Sequence, residues 1–377
     1  MRLTHAAAAF ATVTAGACST GNQETAPSAT ASDVPSAARH AAPFAAPSTA
    51  SAMPHGPWAR LAVGDNIACV ADASGALVCS GPGPQPTYPR GLLAPKGAAL
   101  AVSHEAVCVG PSGGAVRCLY FDGSASFKTD LASARALRIV HHGVCALDDA
   151  GVSCAFGRLD ASDPPVRIEG IAAPTAFDAR SSILCAIDAG VVACASTYVP
   201  RPPFGVDEGL KPPILAKPIR GTQGAVEVAV GGIPCARTEA GTVLCWTDNV
   251  AKAVPGLPKA TQVVAGSGHA FVIDQGHACA LDEVGAVRCW GNNNDAQLGA
   301  APDRCPVVDL HLPKTGPDHR CDEPLLVDGL PPIAELAAGY AFTCARTTQG
   351  EIYCWGRGGP QREGVSGLDP ELRRLEL

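Results

Sequence analysis

From about residue 58 onward the chain is written in short runs of alternating apolar and polar positions, each run broken by Gly, Asp, Asn or Pro. A period of two with that punctuation predicts short β-strands joined by tight turns. The clearest unit is VADASGALVC, residues 70–79, which reads as strand, glycine-bearing turn, strand. The same text recurs as VGPSGGAVRC, ALDDAGVSC, AIDAGVVAC, ARTEAGTVLC, ALDEVGAVRC and ARTTQGEIYC. Upstream of most copies lies a further strand-like segment, as in RLAVG, EVAVGG, QVVAG and ELAAG, and downstream come loops rich in Pro, Gly and Asn. The repeating unit is therefore three or four short strands over about 37 to 65 residues.

Seven cysteine pairs mark the seven units: Cys69/Cys79, Cys108/Cys118, Cys145/Cys154, Cys185/Cys194, Cys235/Cys245, Cys279/Cys289 and Cys344/Cys354. A unit of this size exposes two sheet faces and cannot bury both alone, so copies must pack on one another. Seven copies close naturally into a ring, which also removes long free sheet edges. The fold class expected is all-β, a seven-bladed β-propeller with a disulfide in the central hairpin of each blade.

The cysteine spacing supports bridges on geometric grounds. In CALDEVGAVRC a three-residue loop, Glu283 to Gly285, lets the glycine adopt the left-handed conformation that a type I turn with a bulge requires. Counting outward places Cys279 opposite Cys289 at a non-hydrogen-bonded pair, where Cα atoms lie about 4.5 Å apart, at the short end of the disulfide range. Pairs spaced by nine reach the same kind of site through two-residue loops at Asp149-Ala150 and Ala189-Gly190. Closing a loop of about ten residues stabilises each hairpin by roughly 2 to 3 kcal/mol in the chain-entropy model. Zinc fits poorly: a two-sulfur hairpin needs two more ligands, and no histidine recurs at a fixed position. Of the 17 cysteines, Cys18 stands apart and Cys305 and Cys321 remain outside the hairpins. Those two are expected to pair and to staple an insertion at about residues 302–321, between the sixth blade and the strand preceding the seventh.

Composition refines this picture. Gly (41) and Pro (33) are abundant, yet 47% of residues are hydrophobic, which favours many short elements joined by turns over disorder. The formal charge is −7 with basic residues scattered, so no cationic stripe is available for a phosphate backbone and nucleic acid is an unsuitable partner. No apolar run reaches the roughly 18 residues of a membrane-spanning helix. At the N-terminus, Arg2 precedes the small apolar stretch Ala6 to Ala15, and AGAC then ends at Cys18. This resembles the lipobox of bacterial lipoproteins, which implies a signal peptide over residues 1–17 and lipidation of Cys18. Residues 18–57, dominated by Ala, Ser, Pro and Thr, cannot bury enough surface to offset chain entropy and are read as a disordered tether reaching about 35 Å. The chain is thus expected to be exported and lipid-anchored in the envelope, at the outer membrane or cell surface, and otherwise secreted. An oxidising compartment suits the disulfides.

Residues 263–299 (VVAGSGHAFVIDQGHACALDEVGAVRCWGNNNDAQLG) and 336–359 (LAAGYAFTCARTTQGEIYCWGRGG) resemble the repeat of the regulator of chromosome condensation family. That repeat has an AAG-x-x-H segment, an acidic-glycine hairpin and a W-G-x-N-x-x-G-Q-L-G ending. Here Ala296 stands where the ending has glycine, and about eight extra residues near Phe271 to Gly276 interrupt the first strand. The resemblance implies the propeller fold for residues 58–377 and far less about function. Within the family some intracellular members are exchange factors for small GTPases and bind chromatin, and some secreted bacterial members inhibit β-lactamases. The exchange role conflicts with the export signal and the acidic charge. The C-terminal GLDPELRRLEL begins like GLPKATQVVAG and GLPPIAELAAG, so Glu371 to Leu377 is expected to open an eighth unit that pairs with strands from the other end and latches the ring.

Motifs for chemistry are missing: no nucleophile elbow, no H-E-x-x-H, no phosphate loop and no dinucleotide fingerprint. No catalytic, cofactor-binding or metal-ligating residue and no cofactor is assigned, and the chain is read as a non-enzyme. His104, His141 and His142 hold repeat positions shared with Tyr340 and are read as structural strand positions. Trp246, Trp290 and Trp355 each follow the second hairpin cysteine, so alternation places them on the opposite sheet face, between blades. Asn292 to Asp295 coincides with the ordinary blade-ending turn. The insertion gathers Arg304, Asp309, His311, Lys314, Asp318, His319 and Arg320 on a loop the repeat does not need, and is the candidate binding loop. The leading expectation is a monomeric envelope or cell-surface propeller scaffold that binds a protein or other macromolecule and touches membrane only through its lipid. The alternatives are a surface polysaccharide hydrolase or lyase with a site at the propeller mouth, and a secreted enzyme inhibitor.

Overall fold

The computed structural model describes residues 59–80, 92–111, 113–121, 127–140, 143–156, 164–197, 213–267, 276–308, 318–357 and 373–374. The expected signal peptide, Cys18 and the expected tether lie outside these residues. Seven antiparallel-based sheets follow one another along the chain.

Blade 1 is β1 (Arg60–Val63), β2 (Ala68–Ala71) and β3 (Leu77–Ser80). Blade 2 is β4 (Ala99–Val102), β5 (Ala106–Gly110), β6 (Ala115–Tyr120) and β7 (Phe127–Ala132). Blade 3 comprises β8 (Ala136–Val140), β9 (Gly143–Asp148), β10 (Gly151–Phe156) and β11 (Val166–Glu169). Blade 4 comprises β12 (Pro174–Arg180), β13 (Ile183–Asp188) and β14 (Val191–Ser196), then β15 (Ile214–Leu215) steps back to pair in parallel with β11 before β16 (Lys217–Pro218) completes the blade. Blade 5 is β17 (Ala225–Ala229), β18 (Cys235–Thr238), β19 (Val243–Cys245) and β20 (Lys252–Ala253). Blade 6 is β21 (Ala260–Gly266), β22 (His277–Asp282), β23 (Val287–Asn292), β24 (Val307–Val308) and β25 (Asp318–Leu326). Blade 7 is β26 (Ile333–Ala338), β27 (Ala341–Thr347), β28 (Ile352–Arg357) and β29 (Arg373–Arg374).

The cysteines meet as the spacing requires. In chain order Cys69 lies opposite Cys79, Cys108 opposite Cys118, Cys145 opposite Cys154 and Cys185 opposite Cys194. Cys235 lies opposite Cys245, Cys279 opposite Cys289 and Cys344 opposite Cys354. All seven pairs are disulfides with Cα atoms 4.0 to 4.1 Å apart. The 282/286 pair is hydrogen-bonded, Asp282 N–H donating to the Ala286 carbonyl at 3.0 Å, so 279/289 falls on the non-hydrogen-bonded phase. Gly285, at φ 82°, takes the left-handed conformation the loop demands.

Each disulfide faces the next blade. Cys69 and Cys79 share a core cluster with Leu100, Val102, Val107 and Val109 of blade 2. Cys108 and Cys118 share one with Leu137, Val144 and Ala146 of blade 3, and Cys145 and Cys154 with Phe177, Ala179 and Leu184 of blade 4. The pattern repeats around the circle, one cluster per interface, until Cys344 and Cys354 pack with Leu61, Val70 and Val78 of blade 1. Alternation puts the tryptophans on the reverse face. Trp246 joins the layer of Cys185, Trp290 that of Cys235, and Trp355 that of Cys279 and Cys289. The three interfaces that follow blades 4, 5 and 6 are thus disulfide-against-indole layers.

The glycine closing the inner strand has a packing reason. At Gly339 a Cβ would lie 2.1 Å from the Phe342 ring, and at Gly266 2.1 Å from the His277 ring. Ala296, standing in the family's glycine position, keeps the left-handed backbone at φ 59° and is fully buried.

Four expectations need correction. The bridged strands lie closer than the spacing implies: Cys118 is 4.0 Å from Cys108 at Cα, against about 4.5 Å for an ordinary non-hydrogen-bonded site. On its other side Cys118 faces Phe127 of β7, next to a register shift between Ala115 and Arg117 that the regular repeat does not foretell. The C-terminal strand β29 pairs with β28 of its own blade, Tyr353 opposite Arg374 and Cys354 opposite Arg373, and does not reach the N-terminal strands. It supplies the outer strand that blade 7 otherwise lacks, because the chain leaves β28 at Arg357 without another described partner strand. Ring closure falls instead to the cluster of blades 7 and 1 and to Tyr340 N–H donating to the Asp65 carbonyl at 2.9 Å. The extra residues of blade 6 fall between β21 and β22, since β21 runs unbroken to Gly266. The stapled insertion does not follow blade 6 but lies inside it: β25 pairs with β23, Gly291 opposite Cys321, and β24 adds an edge, Val307 opposite His319. Cys305 and Cys321 do pair, 4.9 Å apart at Cα, and both are buried in the core against blade 7.

Replacing Cys185 and Cys194 together with Ala is expected to lower the unfolding free energy by about 2 to 3 kcal/mol, from lost loop closure alone. Urea unfolding of residues 58–377 measures it, and an unchanged midpoint would contradict a stabilising role for the hairpin bridges.

Candidate functional site

The seven inner strands β1, β4, β8, β12, β17, β21 and β26 surround an axial cavity of about 1320 Å³. Their side chains hold successive blades together. Arg138 donates to the Asp178 carboxylate, whose Oδ2 accepts the Val230 N–H at 2.6 Å, so one carboxylate links blades 3, 4 and 5. Glu227 Oε2 accepts from Arg237 at 2.8 Å within blade 5 and from the Val263 N–H of blade 6 at 3.2 Å. Burial pushes the Glu227 carboxyl above its usual range, with the Arg237 contact opposing. Gln262 binds the Leu336 backbone twice, Nε2 donating to the carbonyl at 3.0 Å and Oε1 accepting the N–H at 2.7 Å, which joins blades 6 and 7.

Arg180 crosses the axis. Its Nη2 donates to the Ala338 carbonyl at 2.6 Å and its Nη1 lies 3.6 Å from Asp65, so a guanidinium of blade 4 ties blade 7 and blade 1 where the circle closes. Asp65 also contacts His104 Nδ1 at 3.2 Å, and His104 Nε2 lies 3.2 Å from Glu105. His104 is therefore half-exposed in the turn between β4 and β5 at the mouth of the cavity where the inner strands end, not on a strand. The repeat equivalence with Tyr340 holds, since both sit three residues past the partner of the first hairpin cysteine. His141 and His142, the corresponding residues of blade 3, lie outside the described residues.

Beneath this mouth His277 is completely buried, its Nε2 2.9 Å from Thr343 Oγ1. Burial, with the Arg180 charge adding, pulls its pKa from 6.5 to about 3, while a Phe342 backbone group works the other way. Thr343 hands its hydroxyl on to the Gln297 carbonyl at 3.3 Å, which Trp355 Nε1 also reaches at 3.0 Å. The blade-ending turn Asn292 to Asp295 belongs to the same network. Gln297 Nε2 donates to Asn292 Oδ1 at 2.8 Å, and Asn293 Nδ2 to the Ala300 and Ala301 carbonyls at 3.1 Å. These amides are consumed in fixing the turn of blade 6 against blade 7. Among the described residues no group of three His, Cys, Asp or Glu is arranged to hold a metal ion.

Of the candidate binding loop, Arg304 is exposed at the end of a short 3₁₀ turn, Pro302–Arg304. Asp318 is buried and accepts from Asn294 Nδ2 at 2.8 Å, while the His319 N–H donates to Asn294 Oδ1 at 2.6 Å and its Nδ1 lies 3.1 Å from the Cys305 carbonyl. Arg320 Nε donates to Asp322 at 2.8 Å. These three residues hold the base of the hairpin rather than presenting themselves to a partner. Asp309, His311 and Lys314 lie outside the described residues.

Residues 333–359 match the family profile described as the regulator of chromosome condensation (RCC1) repeat. They span β26 to the end of β28. The seventh blade resembles an RCC1 repeat, and the chain has a seven-bladed β-propeller fold. Yeast RCC1 (Prp20), solved bound to Kap60, is similar at a TM-score of 0.52, with 16% identity over 69% of each chain. Human WBSCR16 is similar at a TM-score of 0.56, with 14% identity over 78% of this chain and 85% of that one. No curated protein matches the chain. These likenesses establish the fold. The inner-strand bonds carry no signal in the sequence, because they join residues as far apart as Arg180 and Ala338.

His277 makes acid stability a test of this packing. Its folded pKa lies below the unfolded value, so its contribution is complete above pH 6.5 and is lost as pH falls from 6.5 toward 3, by up to about 1.4 kcal/mol per pH unit. The variant His277→Gln should lose less stability than the parent between pH 6.5 and 4 in thermal unfolding. Parallel pH curves for the two proteins would count against a buried neutral imidazole.

Proposed function

We propose that the chain is a non-enzymatic RCC1-type scaffold, exported and anchored through a lipid on Cys18, that binds another protein at the cell envelope as a monomer. The observation that carries this reading is the way polar groups are used. Along the inner strands Arg138, Asp178, Arg180, Glu227 and Gln262 are engaged with backbone or with other side chains across blades, which favours the outer loops of a rigid ring as the surface for recognition. The residue pattern at the N-terminus supports export, and the oxidised cysteines suit an oxidising compartment. That yeast RCC1 was solved bound to Kap60 supports a protein as the ligand.

The binding surface in this reading is the insertion of blade 6, rooted by the Cys305–Cys321 bridge, with Arg304, Asp309, His311 and Lys314 as its candidate contact residues. Its register gives a clean test. Val308 lies opposite Asp318, so residues 309–317 can be replaced by Asn-Gly, which closes such a pair as a tight hairpin. Affinity capture from envelope extracts with residues 58–377 should recover a partner that the shortened form loses, while both forms melt at the same temperature. Equal recovery by the two forms eliminates this surface.

A second reading rests on His104, held between Asp65 and Glu105 at the axial mouth, an arrangement that could serve acid–base cleavage of a surface polysaccharide. In that case the intact protein releases reducing sugar or unsaturated ends from envelope polysaccharide, and His104→Ala reduces the rate by about 10²-fold or more. Absence of turnover by the intact protein disposes of it.

A further inference from the structure

At the opposite mouth, where the inner strands begin, a second pocket of about 310 Å³ opens between blades 1, 2 and 3. Three arginines, Arg60, Arg135 and Arg138, line it together with the small residues Gly97, Ala98 and Ala99, and no carboxylate is among its lining residues. In a chain of formal charge −7 such a convergence is a local inversion of sign. The three guanidinium groups differ in what they already do. Arg138 is engaged with Asp178. Arg135 donates to the Asp148 carbonyl at 3.0 Å and reaches the almost fully exposed Asp149 at 3.3 Å, a pairing worth little in water. Arg60 has a buried Nη1 with no hydrogen-bond partner. Burial depresses its pKa, and the Glu335 charge offsets only part of that.

A buried guanidinium N–H without a partner costs the desolvation of a charged donor, and proteins rarely leave that cost uncompensated. The fork of donors on an arginine matches a carboxylate or phosphate bidentately. The small side chains at 97 to 99 leave room beside it, where larger ones would fill the space. We propose that this pocket is a binding site for a small oxyanion, held chiefly by Arg60 and Arg135 at the propeller mouth opposite His104. A site of this size takes one carboxylate- or phosphate-bearing small molecule, and it is independent of the blade-6 hairpin and of the partner proposed there.

Titration calorimetry on residues 58–377 at low ionic strength, with succinate in one arm and inorganic phosphate in the other, tests it and tells the two oxyanions apart. Saturable binding of at least one is expected, weakened tenfold or more in Arg60→Gln and in Arg135→Gln but unchanged in Arg304→Gln. Thermal unfolding checks that each variant folds, and Arg60→Lys should recover part of the affinity if charge alone suffices. Binding that is equal in the parent and in both pocket variants, or no heat from either anion at millimolar concentration, overturns the proposal. Neither result touches the capture experiment, so the two readings fail separately.

Discussion

The fold rests on a sulfur layer between blades. With aromatic residues at only 5% of the chain, the sheets are built largely from Ala, Val and Leu, and alanine-rich faces leave thin cores. A disulfide in each central hairpin compensates in two ways at once. It fixes the register of the hairpin, and it presents two buried sulfur atoms to the neighbouring blade, where they join that blade's Val, Leu and Phe side chains. Register matters here more than in an isolated hairpin, because a slip of one residue would turn the bridge away from the interface and carry every apolar side chain with it.

That logic explains how the circle closes. Among the described residues no strand from one end of the chain completes the sheet at the other, since β29 belongs to blade 7 and β1 opens blade 1. The joint between blades 7 and 1 is built like every other joint, from a disulfide, Cys344–Cys354, against Leu61, Val70 and Val78. Like several other joints, it also carries polar reinforcement, here at one mouth. Tyr340 bonds to the Asp65 backbone, and Arg180 reaches from the far side of the ring to Ala338 and Asp65. A guanidinium with one side chain can brace two blades only because its donors diverge, which a lysine could not reproduce.

Hairpins, bridges and tryptophan faces are legible in the sequence because each follows from local arithmetic. A loop length sets the phase of the ladder, the phase sets which cysteines meet, and alternation then fixes where Trp246, Trp290 and Trp355 point. Sequence and structure part where similarity of text competes with topology. GLDPELRRLEL reads like the start of a unit, yet its Arg373–Arg374 pairs with the outer edge of β28 in blade 7. The second half of the stapled insertion reads as a loop because Cys321 draws attention to the bridge, although Asp318–Leu326 is the longest strand in its blade. The close approach of Cys118 to Cys108 is likewise invisible to a count of residues, which fixes who faces whom but not their distance. His104 reads as a strand position because its neighbour cysteine is one, while the chain has already turned.

The division of polar residues bears on how such a ring could work. Along the axis Asp178, Arg180 and Glu227 each join more than one blade, so changing one for a new ligand would loosen a joint, and the structure ties recognition there to stability. The outer hairpin of blade 6 is different. Its root is buried and disulfide-bonded, while β24 lies on the sheet edge and Val307 is exposed. The mouth lined by Arg60 and Arg135 is different again, since its small residues make room and its donors outnumber its acceptors. A ring whose joints are covalently registered can keep both surfaces rigid at once, and rigidity lowers the ordering cost of binding at either.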